Sequence, residues 1–73
     1  MTKRFKLQIP TDLINEPIIY KMVTQYSLIP VILEAQLNKD VAGELIVELT
    51  GKPENLQEGL LFLNQKNITV IEI

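Results

Sequence analysis

Three segments of the chain alternate apolar and polar side chains with a period of two, and this alternation restricts the possible folds more than any other feature. The first segment, RFKLQIP, places Phe5, Leu7 and Ile9 on one side and polar residues on the other. Successive side chains of a β-strand point to opposite faces, so the pattern predicts a strand that is buried on one face. Pro10 lacks an amide hydrogen and helps to end this strand.

The stretch IPVILEAQLNKDVAGELIVELTG, residues 29–51, predicts two more strands joined by the turn-forming segment NKDVAG. The second strand follows Pro30, and its faces carry Val31, Leu33, Ala35 and Leu37 on one side and Ile32, Glu34 and Gln36 on the other. The third strand ends at Gly51, and its faces carry Leu45, Val47 and Leu49 inward and Glu44, Ile46 and Glu48 outward.

A first helix is expected between the first two strands. Asn15 is placed as its N-cap, Glu16 and Pro17 suit its first turn, and the helix runs to about Tyr26. Apolar residues at spacings of three and four form its buried stripe: Ile18, Ile19, Met22, Val23 and Tyr26.

A second helix begins near Pro53, with the acidic Glu54 in its first turn. Its buried stripe consists of Leu56, Gly59, Leu60 and Leu63. Glycine inside a helix costs about 1 kcal/mol relative to alanine, so we expect Gly59 to allow close approach of the helix to the sheet. Asn67 is a suitable left-handed stop, and ITVIEI then forms the last strand.

The order β-α-β-β-α-β predicts one α+β domain over residues 1–73 with a ferredoxin-like, two-layer sandwich fold. Two helices then cover one face of a four-stranded antiparallel sheet, and the other face stays open. The predicted open face carries Arg4, Lys6, Gln8, Ile32, Glu34, Gln36, Glu44, Ile46, Glu48 and either Ile71 or Ile73. Among these, Ile32 and Ile46 are the predicted interface residues, because several exposed isoleucines on one face favour self-association, either through that face or through a strand edge.

Composition excludes several classes of function. The chain has no cysteine and no histidine, which removes thiolate ligands, the commonest general base and the commonest transition-metal ligand. We therefore expect no enzyme activity, no catalytic residues, no metal site and no cofactor. The net charge of -2 gives no reason to expect nucleic acid binding. The longest apolar run, LIPVIL, is too short to cross a membrane, and no signal peptide is evident, so a cytoplasmic location is expected.

Four segments resemble the NIL domain family. They are Glu16-Pro17 at the first helix, VIL at residues 31–33 where the family has Asn-Ile-Leu, GELIVELTG at residues 43–51, and LQEGLLFLNQKNITVIEI at residues 56–73. The spacing G-x-L-x-V-x-L-x-G is the most distinctive. The NIL domain is a ferredoxin-like, ACT-like regulatory module found in the ATPase subunits of methionine importers and in some ferredoxin-type proteins.

The resemblance implies a homodimer that binds methionine near its interface. By position, the implied ligand-binding residues are Val31, Ile32, Leu33, Gly43, Glu44 and Leu45. The sequence departs from the family at Val31, where an asparagine amide would be able to hydrogen-bond a charged ligand group. A buried charged group without its partner costs about 1–3 kcal/mol or more. A backbone amide or the partner chain would have to replace that amide, unless Val31 is simply a strand residue.

Two hypotheses follow. In the first, the chain is a homodimeric regulatory domain that senses an amino acid such as methionine. In the second, it is a ligand-free interaction module that docks on a transporter or ferredoxin partner, as the valine at position 31 and the exposed isoleucines suggest. A test for binding of an apolar amino acid distinguishes the two hypotheses.

Overall fold

The observed fold follows the predicted order of strands and helices. In a computed structural model, which describes residues 1–13, 16–37 and 42–73, the elements are β1 (Thr2–Pro10), a 3₁₀ turn (Thr11–Leu13), α1 (Ile18–Tyr26), β2 (Ile29–Leu37), β3 (Ala42–Thr50), α2 (Pro53–Gln65) and β4 (Thr69–Glu72). The strands form one antiparallel sheet in the order β2-β3-β1-β4. This arrangement confirms the α+β, ferredoxin-like prediction. Most of the predicted NKDVAG turn lies outside the described residues.

An apolar core joins the helices to one face of the sheet. Its buried residues are Phe5, Leu7, Ile9, Ile18, Met22, Leu28, Val47, Leu49, Leu56, Phe62, Leu63 and Ile68. The inward sets predicted for β1 and β3 are confirmed: Phe5, Leu7, Ile9, Val47 and Leu49 are buried, and Leu45 is partly buried against the core. Burying one such side chain contributes about 1.5–3 kcal/mol, so these two central strands carry much of the stability.

Strand β2 contains a register shift that its sequence does not reveal. Ile32 lies opposite Val47, but the next pair along the ladder is Glu34 with Ile46. Leu33 is therefore an extra residue with no partner of its own in the ladder, as in a β-bulge.

The bulge changes which residue faces each side of the sheet. Residues directly opposite each other share a face, so Ile32 lies on the helix-covered face with Val47, which is buried. Val31 lies opposite Glu48 on the other face. The prediction that Ile32 shares the outward face with Glu34 is therefore wrong, and Val31 takes that position.

Helix α1 begins two residues later than predicted. The N–H of Lys21 donates to the Pro17 carbonyl at 3.0 Å, which makes Pro17 the residue that caps the helix. Glu16 and Pro17 precede the helix and do not form its first turn. Asn15, the predicted cap, lies outside the described residues.

The buried stripes of the helices match the prediction with two exceptions. In α1, Ile18 and Met22 are buried as predicted, but Val23 is 45% exposed. In α2, Phe62 is buried although its position was not predicted. Its ring lies 5.2 Å, centroid to centroid, from that of Tyr26 on α1, so the two helices meet through an aromatic pair.

Both helices end in a left-handed residue. Asn67, with φ of 63°, confirms the predicted stop after α2, and the N–H of Ile68 donates to the Leu63 carbonyl at 3.1 Å. Ser27 has φ of 54° after α1, where the N–H of Leu28 donates to the Met22 carbonyl. The capping hydrogen bonds satisfy carbonyls that the helix itself leaves free.

Two glycines make room for Leu28, which connects α1 to β2. A β-carbon on Gly59 would lie 2.7 Å from Leu28 Cδ1, and one on Gly51 would lie 2.6 Å from Leu28 Cδ2. Gly59 does permit close approach, but the group it admits is this connecting leucine and not the sheet.

A carboxylate joins the start of α1 to the end of α2. Glu16 Oε1 accepts hydrogen bonds from Lys66 Nζ at 3.0 Å and from Lys21 Nζ at 3.2 Å. These two bonds, that of Lys66 first, hold the pKa of the Glu16 carboxyl below its ordinary value. The residue predicted for a helical turn therefore connects the two helices.

Candidate ligand and interface surface

The face of the sheet that the helices leave uncovered is the candidate site, called here the open face. Cross-strand pairing arranges its side chains in rows, three of which run from β4 through β1 and β3 to β2, while a further row of Thr2, Thr50 and Ile29 spans β1, β3 and β2. The three full rows are Thr69, Gln8, Glu44 and Gln36; Ile71, Lys6, Ile46 and Glu34; and Ile73, Arg4, Glu48 and Val31.

Two ion pairs cross the open face between the central strands. Arg4 Nε donates to Glu48 Oε2 at 3.1 Å, and Lys6 Nζ lies 2.8 Å from Glu44 Oε1. The hydrogen bond from Lys6 is the main reason that the pKa of Glu44 lies below its ordinary value. These groups are solvent-accessible, so each pair contributes little to the stability of the fold. The pairs also fix the positions of the charged groups on this surface.

A shallow depression lies in the open face beside the Lys6–Glu44 pair. Its lining consists of Lys6, Glu34, Gln36, Glu44 and Ile46. It combines one ammonium, two carboxylates and a carboxamide with an apolar floor at Ile46. Such a set can hydrogen-bond both the ammonium and the carboxylate of a zwitterion and can contact a small apolar group.

The structure separates the six predicted ligand-binding residues along the β2–β3 hairpin. Glu44 is the one that lines the depression, whereas Gly43 is buried and Leu45 packs against the core. Val31 and Ile32 lie opposite Glu48 and Val47, toward the other end of the strands. Each residue advances a strand by about 3.3 Å, so Ile32 lies roughly 10 Å along the strands from the Glu44 row.

The two predicted interface residues lie on opposite faces of the sheet. Ile46 belongs to the open face, but Ile32 does not, because of the bulge at Leu33. Around Ile32, strand β2 nevertheless forms an exposed apolar edge. The exposed fractions of its side chains are Ile29 64%, Val31 48%, Ile32 50% and Leu33 46%.

Sequence reasoning placed Lys6, Glu34 and Gln36 on the outward face but did not bring them together as a site. The strand register brings them together, since Glu34 lies opposite Ile46, which in turn lies opposite Lys6. The sequence feature that could have indicated this site is the presence of opposite charges on three adjacent strands.

The basic cluster at the start of the chain is paired with carboxylates. Lys3 Nζ lies 3.7 Å from Glu72 Oε1, while Arg4 and Lys6 pair with Glu48 and Glu44. Within the described residues, no group of three or more histidine, cysteine, aspartate or glutamate side chains could hold a metal ion. In the same part of the chain, no helix has the length and apolar character needed to cross a bilayer.

Comparison with solved structures supports the fold. A solved structure, the C-terminal domain of an ABC transporter / ATP-binding protein from Enterococcus faecalis, superposes with a TM-score of 0.81 at 24% identity, covering 97% of this chain and 82% of that one. At this identity the likeness shows the fold alone.

A relative of known name matches more closely in sequence. It is the methionine import ATP-binding protein MetN of Protochlamydia amoebophila (strain UWE25), 38% identical over 57 residues. The match covers 74% of this chain and 17% of the relative, so this chain corresponds to a small part of that protein. A family model for the NIL domain matches residues 3–72. The chain therefore belongs to the NIL domain family.

Proposed function

We propose that the chain is a regulatory domain of a transporter system that binds an amino acid such as methionine and pairs with a second copy of itself. The observation that carries the proposal is the NIL match over residues 3–72. The similarity to a methionine import protein supports methionine or a related amino acid as the proposed ligand. The domain acts by binding, without catalysis and without a cofactor, and on the cytoplasmic side of the membrane.

The depression in the open face is the proposed ligand site. Lys6 would bind the ligand carboxylate, Glu34 the ammonium, and Ile46 the apolar side chain. Arrangement of both charges beside an apolar floor supports this assignment. In this site Gln36 would supply a side-chain amide to the ligand, in a different row of the open face from Val31. The implied contributions of Val31, Ile32, Leu33, Gly43 and Leu45 remain predictions.

Calorimetry with methionine and other apolar amino acids tests the proposal. We expect binding heat and a raised melting temperature at roughly millimolar ligand, since RT ln(1 + [L]/Kd) stabilises the folded state. No heat and no melting shift at that concentration would contradict ligand binding.

Paired variants locate the site. Lys6→Met and Arg4→Met each remove one basic group from the open face of β1, but only Lys6 lines the depression. We expect Lys6→Met to abolish methionine binding and Arg4→Met to retain it. Equal loss in both variants would place the site elsewhere.

A second function, a ligand-free module that docks on a transporter or ferredoxin partner, is favoured by the exposed apolar edge of β2. Affinity pull-down with Ile32→Lys tests it, because lysine at this half-exposed position would block an apolar contact. We expect the fold to persist and a partner to be lost. Retained capture by the variant would contradict docking through this edge.

A further inference from the structure

We propose that a groove on the helix-covered side of the sheet, called here the α2 groove, is a second ligand site and binds a small carboxylate that carries an unbranched apolar chain. The groove lies where β1 and α2 begin, and its lining consists of Met1, Lys3, Pro53, Leu56, Gln57 and Leu60. The proposal is independent of the site in the open face, since the two cavities share no lining residue.

Strand pairing brings the two walls of the groove together. The N–H of Gly51 donates to the Met1 carbonyl at 3.0 Å, which places Met1 beside the end of β3. Helix α2 begins two residues later, at Pro53. Lys3 lies opposite Leu49, which is buried, so the Lys3 side chain is on the helix-covered side as well. The start of β1 therefore forms one wall, and the first two turns of α2 form the other.

The helical wall is one continuous stripe. Its four residues, at positions 53, 56, 57 and 60, have the spacing i, i+3, i+4 and i+7, which places them along one side of α2. Leu56 is 3% exposed and belongs to the core, whereas Leu60 is only partly buried. The stripe is about 10 Å long, because each helical residue rises about 1.5 Å. An extended apolar chain can lie along it.

The α2 groove has the size and composition of a small-molecule site. Its volume is about 300 Å³, against about 160 Å³ for the depression in the open face. Small-molecule sites typically have volumes of about 300–1,000 Å³ and combine mainly apolar walls with a few polar groups. Here the lining is apolar except for one carboxamide, at Gln57, and one ammonium, at Lys3.

Charge identifies the head group of the ligand. Lys3 is the one charged residue of the lining, and its side chain is 42% exposed. Its Nζ lies 3.7 Å from Glu72 Oε1, which is too far for a hydrogen bond, so this ion pair occupies none of the three ammonium donors. An ammonium beside an apolar groove is complementary to a carboxylate attached to an apolar chain.

NMR titration of the whole chain with octanoate tests the proposal. We expect saturable shifts of the methyl signals of Met1, Leu56 and Leu60, and no comparable shift of the Ile46 methyl signals in the open face. Butyrate, hexanoate and octanoate should bind progressively more tightly, by up to about fourfold for each added methylene.

Octylammonium, which has the same apolar chain and the opposite charge, is the control for the head group. It should bind about tenfold more weakly than octanoate or worse, because it cannot accept a hydrogen bond from Lys3. Equal affinity for the two compounds would overturn the assignment of the head group. Octanoate shifts spread evenly over both faces of the sheet would overturn the site.

Two pairs of variants locate the contacts. Lys3→Met and Arg4→Met each remove one basic group and one ion pair from β1, but only Lys3 lines the α2 groove. Lys3→Met should abolish the preference for octanoate over octylammonium, and Arg4→Met should retain it. Likewise, Leu60→Gln should weaken octanoate binding about tenfold or more, whereas Leu61→Gln, at a position that is 55% exposed and outside the lining, should not.

Circular dichroism verifies that each variant folds. Leu60 packs against the core, so a failure of Leu60→Gln to fold would leave the decision to the pair at positions 3 and 4, whose side chains are both largely exposed. An equal effect of Lys3→Met and Arg4→Met would overturn the proposal.

The outcomes are separate from those of the proposed function. Octanoate binding without methionine binding would support the α2 groove and contradict amino acid sensing. Methionine binding without octanoate binding would do the reverse.

Discussion

The side chain of Leu28 occupies the space that a β-carbon on Gly59 would need. Leu28 is 1% exposed, and its other methyl group is confined in the same way by Gly51. The connection between α1 and β2 is thus held between the end of β3 and the middle of α2.

Gly59→Ala should destabilise the fold by up to about 2 kcal/mol, because an overpacking cost of about 1–3 kcal/mol is offset by a gain of about 1 kcal/mol in helix propensity. Urea unfolding measures the change. In a Leu28→Ala background the clash is absent, so the same substitution should become neutral or stabilising. Equal destabilisation in both backgrounds would show that contact with Leu28 is not the reason for the glycine.

Removal of Lys66 should raise the pKa of Glu16 more than removal of Lys21, since the Lys66 hydrogen bond is the shorter of the two and the larger cause of the lowered pKa. NMR titration of the Glu16 carboxyl in Lys66→Met and Lys21→Met measures both. A larger shift in Lys21→Met would contradict the assignment.

Glu16 should also make stability depend on pH. The folded carboxyl has a pKa below its ordinary value of 4.5. Its stabilising contribution is therefore complete above about 4.5 and is lost as the pH falls through the lower, folded value. Urea unfolding along an acid series should show a shallower decline in Glu16→Gln than in the wild type. Parallel declines would exclude Glu16 as a source of the pH dependence.

Ser27→Gly should stabilise the protein by up to about 1 kcal/mol, because an ordinary residue in the left-handed region costs roughly 1–2 kcal/mol and glycine avoids most of that cost. Asn67→Gly is the matched comparison, and we expect a smaller gain because asparagine tolerates this conformation. Thermal unfolding reports both. A loss of stability in Ser27→Gly would point to a role for the hydroxyl.

Deletion of Leu33 should be tolerated better than deletion of Ala35. Without Leu33, every pair between β2 and β3 survives, because this residue has no partner in the ladder. Deletion of Ala35 interrupts the regular part of the β2–β3 ladder and turns the residues on one side of the deletion to the other face of the sheet. Unfolding free energies of the two deletions provide the test, and an equal loss would contradict the bulge assignment.

Local patterns predicted the central strands well for a physical reason. Phe5, Leu7 and Ile9 alternate with polar residues because one face of β1 meets the core and the other meets water. Proline at position 53 and asparagine at 67 mark the limits of α2 through backbone constraints that act locally. The start of α1 was harder to predict, since Glu16 is held by Lys66, fifty residues away in the chain.

The candidate site was predicted only in part because its geometry depends on register. Residues 29–33 are all apolar, so they contain no alternation from which a face can be read. Continuing the alternation of Glu34 and Gln36 backward across the bulge places Ile32 on the open face and Val31 on the helix-covered face. The structure has the reverse. The charge pairs on the open face were accessible to prediction, because opposite charges on neighbouring strands attract wherever the register brings them together.

The unpaired residue at position 33 means that β2 contains one residue more than its pairing with β3 requires. A related chain that lacks this residue would keep the same side chains toward solvent and toward the interior, because the pairs on both sides of position 33 already set those faces. The length of β2 can therefore vary at this point while the scaffold and its outer surface stay the same.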